Sequence, residues 1–143
     1  MRLERLCDIQ LAYQGGFALV KPYGGEEGPG FGSGDGTVSG GLSGTVRWVN
    51  HPRRRSDARM LPDAAGEIRT DDGATLMFRM QGRTVFREVD GKQRGGQLLW
   101  LLLETDAERY RELNDALCVV EGVIDSATGR MHASVFRCVH ETL

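Results

Sequence analysis

Apolar and polar residues alternate along this chain with the two-residue period of a β-strand, and one stretch breaks the pattern with a helical signature. Residues 5–13, RLCDIQLAY, read as a first strand, and 17–20 as a short second one halted by Lys21-Pro22. Thr45 to Asn50 forms a further strand with Val46, Trp48 and Asn50 on one face and Thr45, Arg47 and Val49 on the other. The hairpin around Thr70-Asp71-Asp72-Gly73-Ala74 is the best specified. A two-residue turn at Asp72-Gly73 would mix polar and apolar side chains on both faces. A three-residue loop with Gly73 left-handed pairs Thr70 with Ala74 instead. Ile68, Thr70, Ala74, Leu76, Phe78 and Met80 then share one face, which must meet a core, and Glu67, Arg69, Thr75, Met77 and Arg79 share the other.

Beyond it, Gln81-Gly82 reads as a turn, Arg83 to Val89 as a strand, and Asp90 to Gly96 as a loop. Leu98 to Leu103 is a continuous apolar run, suited to a buried strand around Trp100. Thr105-Asp106-Ala107-Glu108 fits a capping box and opens a short helix over about 106–113, with Asn114 as its stop. Cys118 to Ile124 and Met131 to Val139 close the chain as a hairpin whose loop, with Gly129 left-handed, pairs Asp125 with Arg130. That register sets Glu121 opposite Ser134 and His132 opposite Val123, sharing a face with Val119, Phe136 and Cys138. The other face is uniformly apolar except at its rim.

Glycine supplies ten of the twenty-one residues from Gly24 to Gly44. Neither a phosphate-binding loop nor G-x-G-x-x-G occurs there, and a strand follows rather than a helix, so the glycines suit tight turns and close backbone approach at barrel corners. The chain of 143 residues, with a formal net charge of −2, is long enough for one domain, 1–143, around one core. Its charge balance offers no nucleic-acid footprint, and no apolar run reaches membrane-spanning length. Cys7, Cys118 and Cys138, without a secretory signal, read as reduced thiols of a cytoplasmic protein. His51 stands without a second ligand at metal spacing, so no metal site and no cofactor are expected. The triplet Arg53, Arg54, Arg55 is either a solvated loop or an anion clamp, with Arg54 its candidate ligand residue.

About eight strands and one short helix, without βαβ alternation, predict an all-β fold: an antiparallel, closed β-barrel. The runs GDGTVSGGLSGTVRWVN, LPDAAGEIRTDDGATLMFR and ERYRELNDALCVVEGVID resemble the bacterial domain-of-unknown-function family 3237, over most of the chain from about Gly28. That resemblance implies a barrel similar to those of allene oxide cyclases and dirigent proteins. Such barrels hold hydrophobic small molecules and often act without a cofactor; the family brings no agreed catalytic motif.

Two functions follow as expectations. One is a cofactor-independent isomerase, cyclase, hydratase or lyase acting on a largely apolar molecule; the other is a non-catalytic carrier of such a molecule. For the enzyme, Glu121 facing the lumen would be general acid or base, with His132 sharing its proton. Trp48, Asn50, Arg54, Asp72, Tyr110, Ser134 and Phe136 would contact substrate. The same polar face equally suits a solvated ion pair. A small-molecule ligand is the expected partner, with room for a homo-oligomer and none for nucleic acid or membrane.

Overall fold

The computed structural model describes residues 1–143. In chain order it contains β1 (Arg2–Leu19), β2 (Gly28–Gly40), β3 (Gly44–Asn50), β4 (Arg53–Arg54), β5 (Met60–Leu61), β6 (Asp63–Thr70), β7 (Thr75–Val89), β8 (Lys92–Thr105), a 3₁₀ helix (Glu108–Asp115), β9 (Leu117–Asp125) and β10 (Arg130–Val139). Eight of the strands close an antiparallel ring in the order β1-β10-β9-β8-β7-β6-β3-β2, with β2 pairing back onto β1. Closure leaves no long edge unpaired.

The two remaining strands modify one end of the ring. The path of β3 breaks at Pro52 and that of β6 begins after Pro62, both positions where the backbone lacks a donor. Past these breaks, β4 and β5 take the places of β3 and β6 between β2 and β7, through Gly28↔Arg54, Arg54↔Met60 and Met60↔Thr84. The barrel wall is thereby extended at this end, its mouth. At the opposite end the barrel is stoppered by Leu42, by Leu113 of the helical segment and by Ala116 just after it, all buried. Between the ends, Ile9, Val46, Ile68, Leu76, Phe78, Leu101, Val120 and Val135 fill the interior.

Local turn chemistry set the registers. Gly73 has φ +91°, Thr70 N donates to Ala74 O at 2.9 Å, and Ile68 faces Leu76. Gly129 has φ +66°, and Asp125 faces Arg130, Glu121 faces Ser134 and His132 faces Val123. The all-β closed barrel is therefore as the alternation predicts.

Several boundaries differ. The first two expected strands are one, β1, which carries Gly15 and Gly16 in an irregularity between Gln14 and Phe17. Gly82 is not a turn but lies within β7, where a Cβ would stand 2.1 Å from Leu98 O. The loop expected from Asp90 is a two-residue turn at Asp90-Gly91, with both φ positive, so β8 begins at Lys92. The apolar run in β8 alternates: Leu99, Leu101 and Leu103 point inward while Leu98 and Leu102 face solvent. The expected helix over 106–113 is a 3₁₀ segment, Glu108–Asp115, without a side-chain cap. Thr105 instead ends β8: its hydroxyl donates to Thr75 O at 2.7 Å and accepts from the Ala107 amide at 3.1 Å.

The last hairpin turns its polar face outward, against the lumen-facing Glu121 expected for an enzyme and in keeping with the solvated alternative. Cys118, Val120, Gly122, Met131, Ala133 and Val135 line the interior; Glu121 and His132 are exposed on the outer wall. Both faces of this hairpin are largely apolar, and ring closure selects the one without a charge, because an unpaired carboxylate cannot be buried cheaply.

Candidate functional site

The mouth is shaped by an absence of side chains. The inward positions of β2 ahead of Val38 are Gly28, Gly30, Gly32, Gly34 and Gly36. Rings from neighbouring strands lie across this bare backbone. A Cβ at Gly32 would stand 2.3 Å from Cε1 of Tyr13, and one at Gly34 would stand 1.9 Å from Ala12 O and 2.9 Å from the Trp48 ring. Tyr13 packs edge-on against Trp48 and Phe17, with centroids 4.6 and 5.7 Å apart. The glycine-rich segment thus serves close approach, as expected, but as a strand rather than as corners.

The result is a cavity of about 540 Å³ opening at the mouth. Tyr13, Phe17 and Leu19 of β1, Pro52, Arg54, Met60 and Pro62 around β4 and β5, Thr84 and Phe86 of β7, Gln93 and Gln97 of β8, and the Ile124–Gly129 end of the last hairpin surround it. Its inner end narrows to about 30 Å³ among Leu11, Trp48, Ala64, Met80, Leu99 and Met131, below which the interior is packed. Size and composition match small-molecule pockets, which are mostly apolar with a few placed polar groups.

Those polar groups are specific. Asn50 bridges two elements: its Oδ1 accepts from the Asp63 amide at 3.1 Å and its Nδ2 donates to the Tyr13 hydroxyl oxygen at 2.9 Å. The oxygen of Tyr13 being engaged as an acceptor, its own proton is left to donate elsewhere. Burial pushes the Tyr13 pKa above its ordinary value, partly offset by the Asn50 bond, so the phenol stays protonated at neutral pH. Gln97 is 9% exposed and donates from Nε2 to Thr84 Oγ1 at 3.1 Å, while its Oε1 has no partner within the protein. Whichever way the amide is turned, only one of its two head atoms meets Thr84. Arg54 is half-buried, paired with Glu26 at 2.7 Å, and its Nε is buried without a partner.

The residues singled out from sequence divide into three places. Asn50 and Arg54 line the cavity, and Trp48 forms its inner end. Asp72 and Tyr110 sit together at the stoppered end, where Tyr110 donates to Asp72 Oδ2 at 3.0 Å and Thr70 and Arg109 also bind that carboxylate. The Thr70 hydroxyl is the main reason the Asp72 carboxyl lies below its ordinary pKa. This cluster latches the helical segment to the β6–β7 turn. Glu121, His132, Ser134 and Phe136 are on the outer wall, Ser134 donating to Asp8 at 3.0 Å. Arg53 and Arg55 also have partners in the chain, Glu27 and Asp57, both at 2.6 Å.

Tyr13 was missed because it lies far in sequence from Thr84 and Gln97, and those two, partners across the β7–β8 hairpin, because the turn expected at Gly82 and the loop expected up to Gly96 hid their pairing. A signal existed: each continues an inward-facing apolar series, Cys7-Ile9-Leu11, Leu76-Phe78-Met80 or Leu99-Leu101-Leu103, with a polar residue at the same end of the barrel.

Fold and cavity together define the class: an eight-stranded antiparallel β-barrel, stoppered at one end, with an apolar pocket at the other. No family model matches the chain, and no curated protein matches it in sequence. Solved structures are similar in fold. A protein of unknown function from Clostridium acetobutylicum is 18% identical with a TM-score of 0.84, over 97% of this chain and 100% of that one. A β-barrel-like protein from Acinetobacter baumannii is 16% identical with a TM-score of 0.83, over 95% and 94%. An enzyme from Penicillium herquei is 18% identical with a TM-score of 0.71, over 94% and 93%.

Proposed function

We propose that this protein binds a small, largely apolar, ring-containing molecule in the mouth cavity and promotes acid-assisted isomerisation or cyclisation of it. One observation carries the reading: a cavity of about 540 Å³ is walled by apolar side chains yet holds a nine-tenths-buried amide with one unpaired head atom. A buried polar atom without a partner costs about 1–3 kcal/mol. A ligand hydroxyl or N–H placed against Gln97 recovers that loss. A carbonyl or phenol oxygen of the same ligand would meet the free proton of Tyr13, and the half-buried guanidinium of Arg54 suits a carboxylate or phenolate at the rim. Hydrogen bonding from Tyr13 would polarise a ligand carbonyl, and Asp125, the one carboxylate in the lining, is the group to take the α-proton as the enol forms, a step open to isomerisations and cyclisations alike.

Turnover is favoured by the similarity in fold to the Penicillium herquei enzyme. The resemblance to family 3237, which no family model bears out, brings no catalytic motif and adds only a hint of the same chemistry. A carrier reading is favoured by a different observation: Asp125, at the rim, is the sole carboxylate among the lining residues, and no imidazole joins it. The two are separated by incubating the protein with a pool of phenolic and carbonyl compounds and following them by mass spectrometry. Enzyme converts a compound to an isomer; carrier retains it unchanged. Site occupancy itself is tested with 8-anilinonaphthalene-1-sulfonate, which brings a naphthalene ring, an N–H and a sulfonate. Saturable fluorescence, displaced by 2-naphthol and weakened about 10-fold by Tyr13→Phe, is expected, equivalent to about 1.4 kcal/mol. Fluorescence that does not saturate, or is indifferent to Tyr13→Phe, overturns the site.

A further inference from the structure

The outer wall over β8 and β9 presents a second feature, far from acid–base chemistry. Leu98, Leu102 and Leu117 are 67%, 45% and 48% exposed, and half-buried Trp100 and Val119 lie between them. The registers make these side chains contiguous: Trp100 neighbours Val119, and Leu102 neighbours Leu117. A lone exposed leucine is ordinary, but a continuous patch centred on tryptophan is the composition of an interface core.

Charges around the patch identify its occupant. At the level of Leu98, Arg83 of β7 lies on one side and Glu121 of β9 on the other. They stand two strand spacings apart, about 10 Å, too far to pair with each other. Neither has an ion-pair partner in the chain; Arg83 only donates to the neighbouring Gly82 O at 2.9 Å. We propose that the protein is a homodimer joined through the outer wall of β7, β8 and β9, across a two-fold axis running along β8. Such an axis carries β7 of one protomer onto β9 of its partner at the same level. Arg83 then faces Glu121 of the partner subunit, twice by symmetry, and Trp100 packs against the partner's Trp100 on the axis. A two-fold running across the strands at the level of Trp100 is the alternative for a patch centred on that residue. It would lay Arg79 on the partner's Arg83, two like-charge contacts in place of two opposite ones. The outward carboxylate of the last hairpin thereby acquires a partner that its own chain does not supply.

The test is sedimentation of the full chain. Wild-type protein is expected at twice the 15.8 kDa chain mass at micromolar concentration. Trp100→Ser is expected to be a folded monomer by circular dichroism. Arg83→Glu and Glu121→Arg should each weaken association by about 10-fold or more, and the double reversal Arg83→Glu/Glu121→Arg should restore it to within a few-fold of wild type. Rescue by the double variant is specific to two residues that face each other. A wild-type monomer, a trimer or larger ring, a dimer indifferent to either single reversal, or failure of the double reversal to restore association each overturns the proposal.

Discussion

Gln97 and Thr84 form the polar inner wall of the mouth cavity, and replacing both with Gln97→Met/Thr84→Val keeps their shapes while removing their polarity. Both residues are buried, at 9% and 2% exposure, so the change acts almost entirely inside the protein. The wild-type pair contributes one neutral hydrogen bond, worth about 0.5–1.5 kcal/mol net, and carries one unpaired amide atom costing about 1–3 kcal/mol. Removing both leaves a balance of about 1 kcal/mol in favour of the variant. With a urea slope of about 2 kcal/mol per molar, the unfolding midpoint should rise by about 0.5 M at unchanged slope. Binding of 2-naphthol should weaken by at least about 10-fold, since its hydroxyl then meets a thioether. Stability and binding moving in opposite directions is the signature of a group kept for a ligand. A variant destabilised by more than about 1 kcal/mol, with 2-naphthol affinity unchanged, would refute this reasoning and make the pair a structural element.

Phe78→Ala, at a core position that is 5% exposed, should cost about 3–5 kcal/mol in urea unfolding; a loss below about 1 kcal/mol would mean that this face of the β6–β7 hairpin is not packed. The raised pKa of Tyr13 favours its protonated form in the folded state, so its contribution to stability is complete below the ordinary tyrosine value and is lost as pH rises through the folded one. Tyr13→Phe should therefore flatten the alkaline limb of the stability profile, and an unaltered limb would place the tyrosine in water. For Asp72 the sign is opposite: its pKa is lowered, so the stability it lends is present above the ordinary carboxylate value and fades as pH falls through the folded one. Asp72→Asn should remove that acid-side dependence, measured as the difference in midpoint between mildly and strongly acidic buffer. One calorimetric transition, as expected of one domain over 1–143, should accompany all of these variants.

The parts of the fold that were legible in sequence are those decided within a few residues. Gly73 and Gly129 needed left-handed backbone, and each fixed the pairing of the strands it joins. Strand breaks at glycine were misjudged at Gly82, where glycine lets the Leu98 backbone pass closely, and at Gly15-Gly16, where two positive-φ glycines make an irregularity inside one strand; both have the same local signature as a glycine that turns. The face of the last hairpin was undecidable locally, since the burial of Val120 rather than Glu121 depends on which way the whole ring closes. The same holds for Leu98 and Leu102, whose hydrophobicity is that of a core although their side chains point outward. Asn50 and Arg54 were found because they adjoin a strand end and a charge triplet, both visible in one stretch. Thr84 and Gln97 pair across one hairpin, but Tyr13 reaches the same cavity only through tertiary closure, and the shared inward parity of the three becomes meaningful once the strands are laid side by side.

The proline breaks at Pro52 and Pro62 divide the wall into two storeys with separate duties. The lower storey, with β3 and β6, completes the ring that holds the packed interior. The upper storey, β4 and β5 with the turn between them, forms one side of the cavity and joins the rest through a few ladder pairs and the Arg53–Glu27 and Arg54–Glu26 bridges. Lengthening, shortening or replacing residues 53–61 therefore alters what fits in the mouth without reopening the barrel. This segment is where changes of sequence can reshape the cavity while the foundation remains untouched, and it is the place to graft new loops when a chosen molecule is wanted inside.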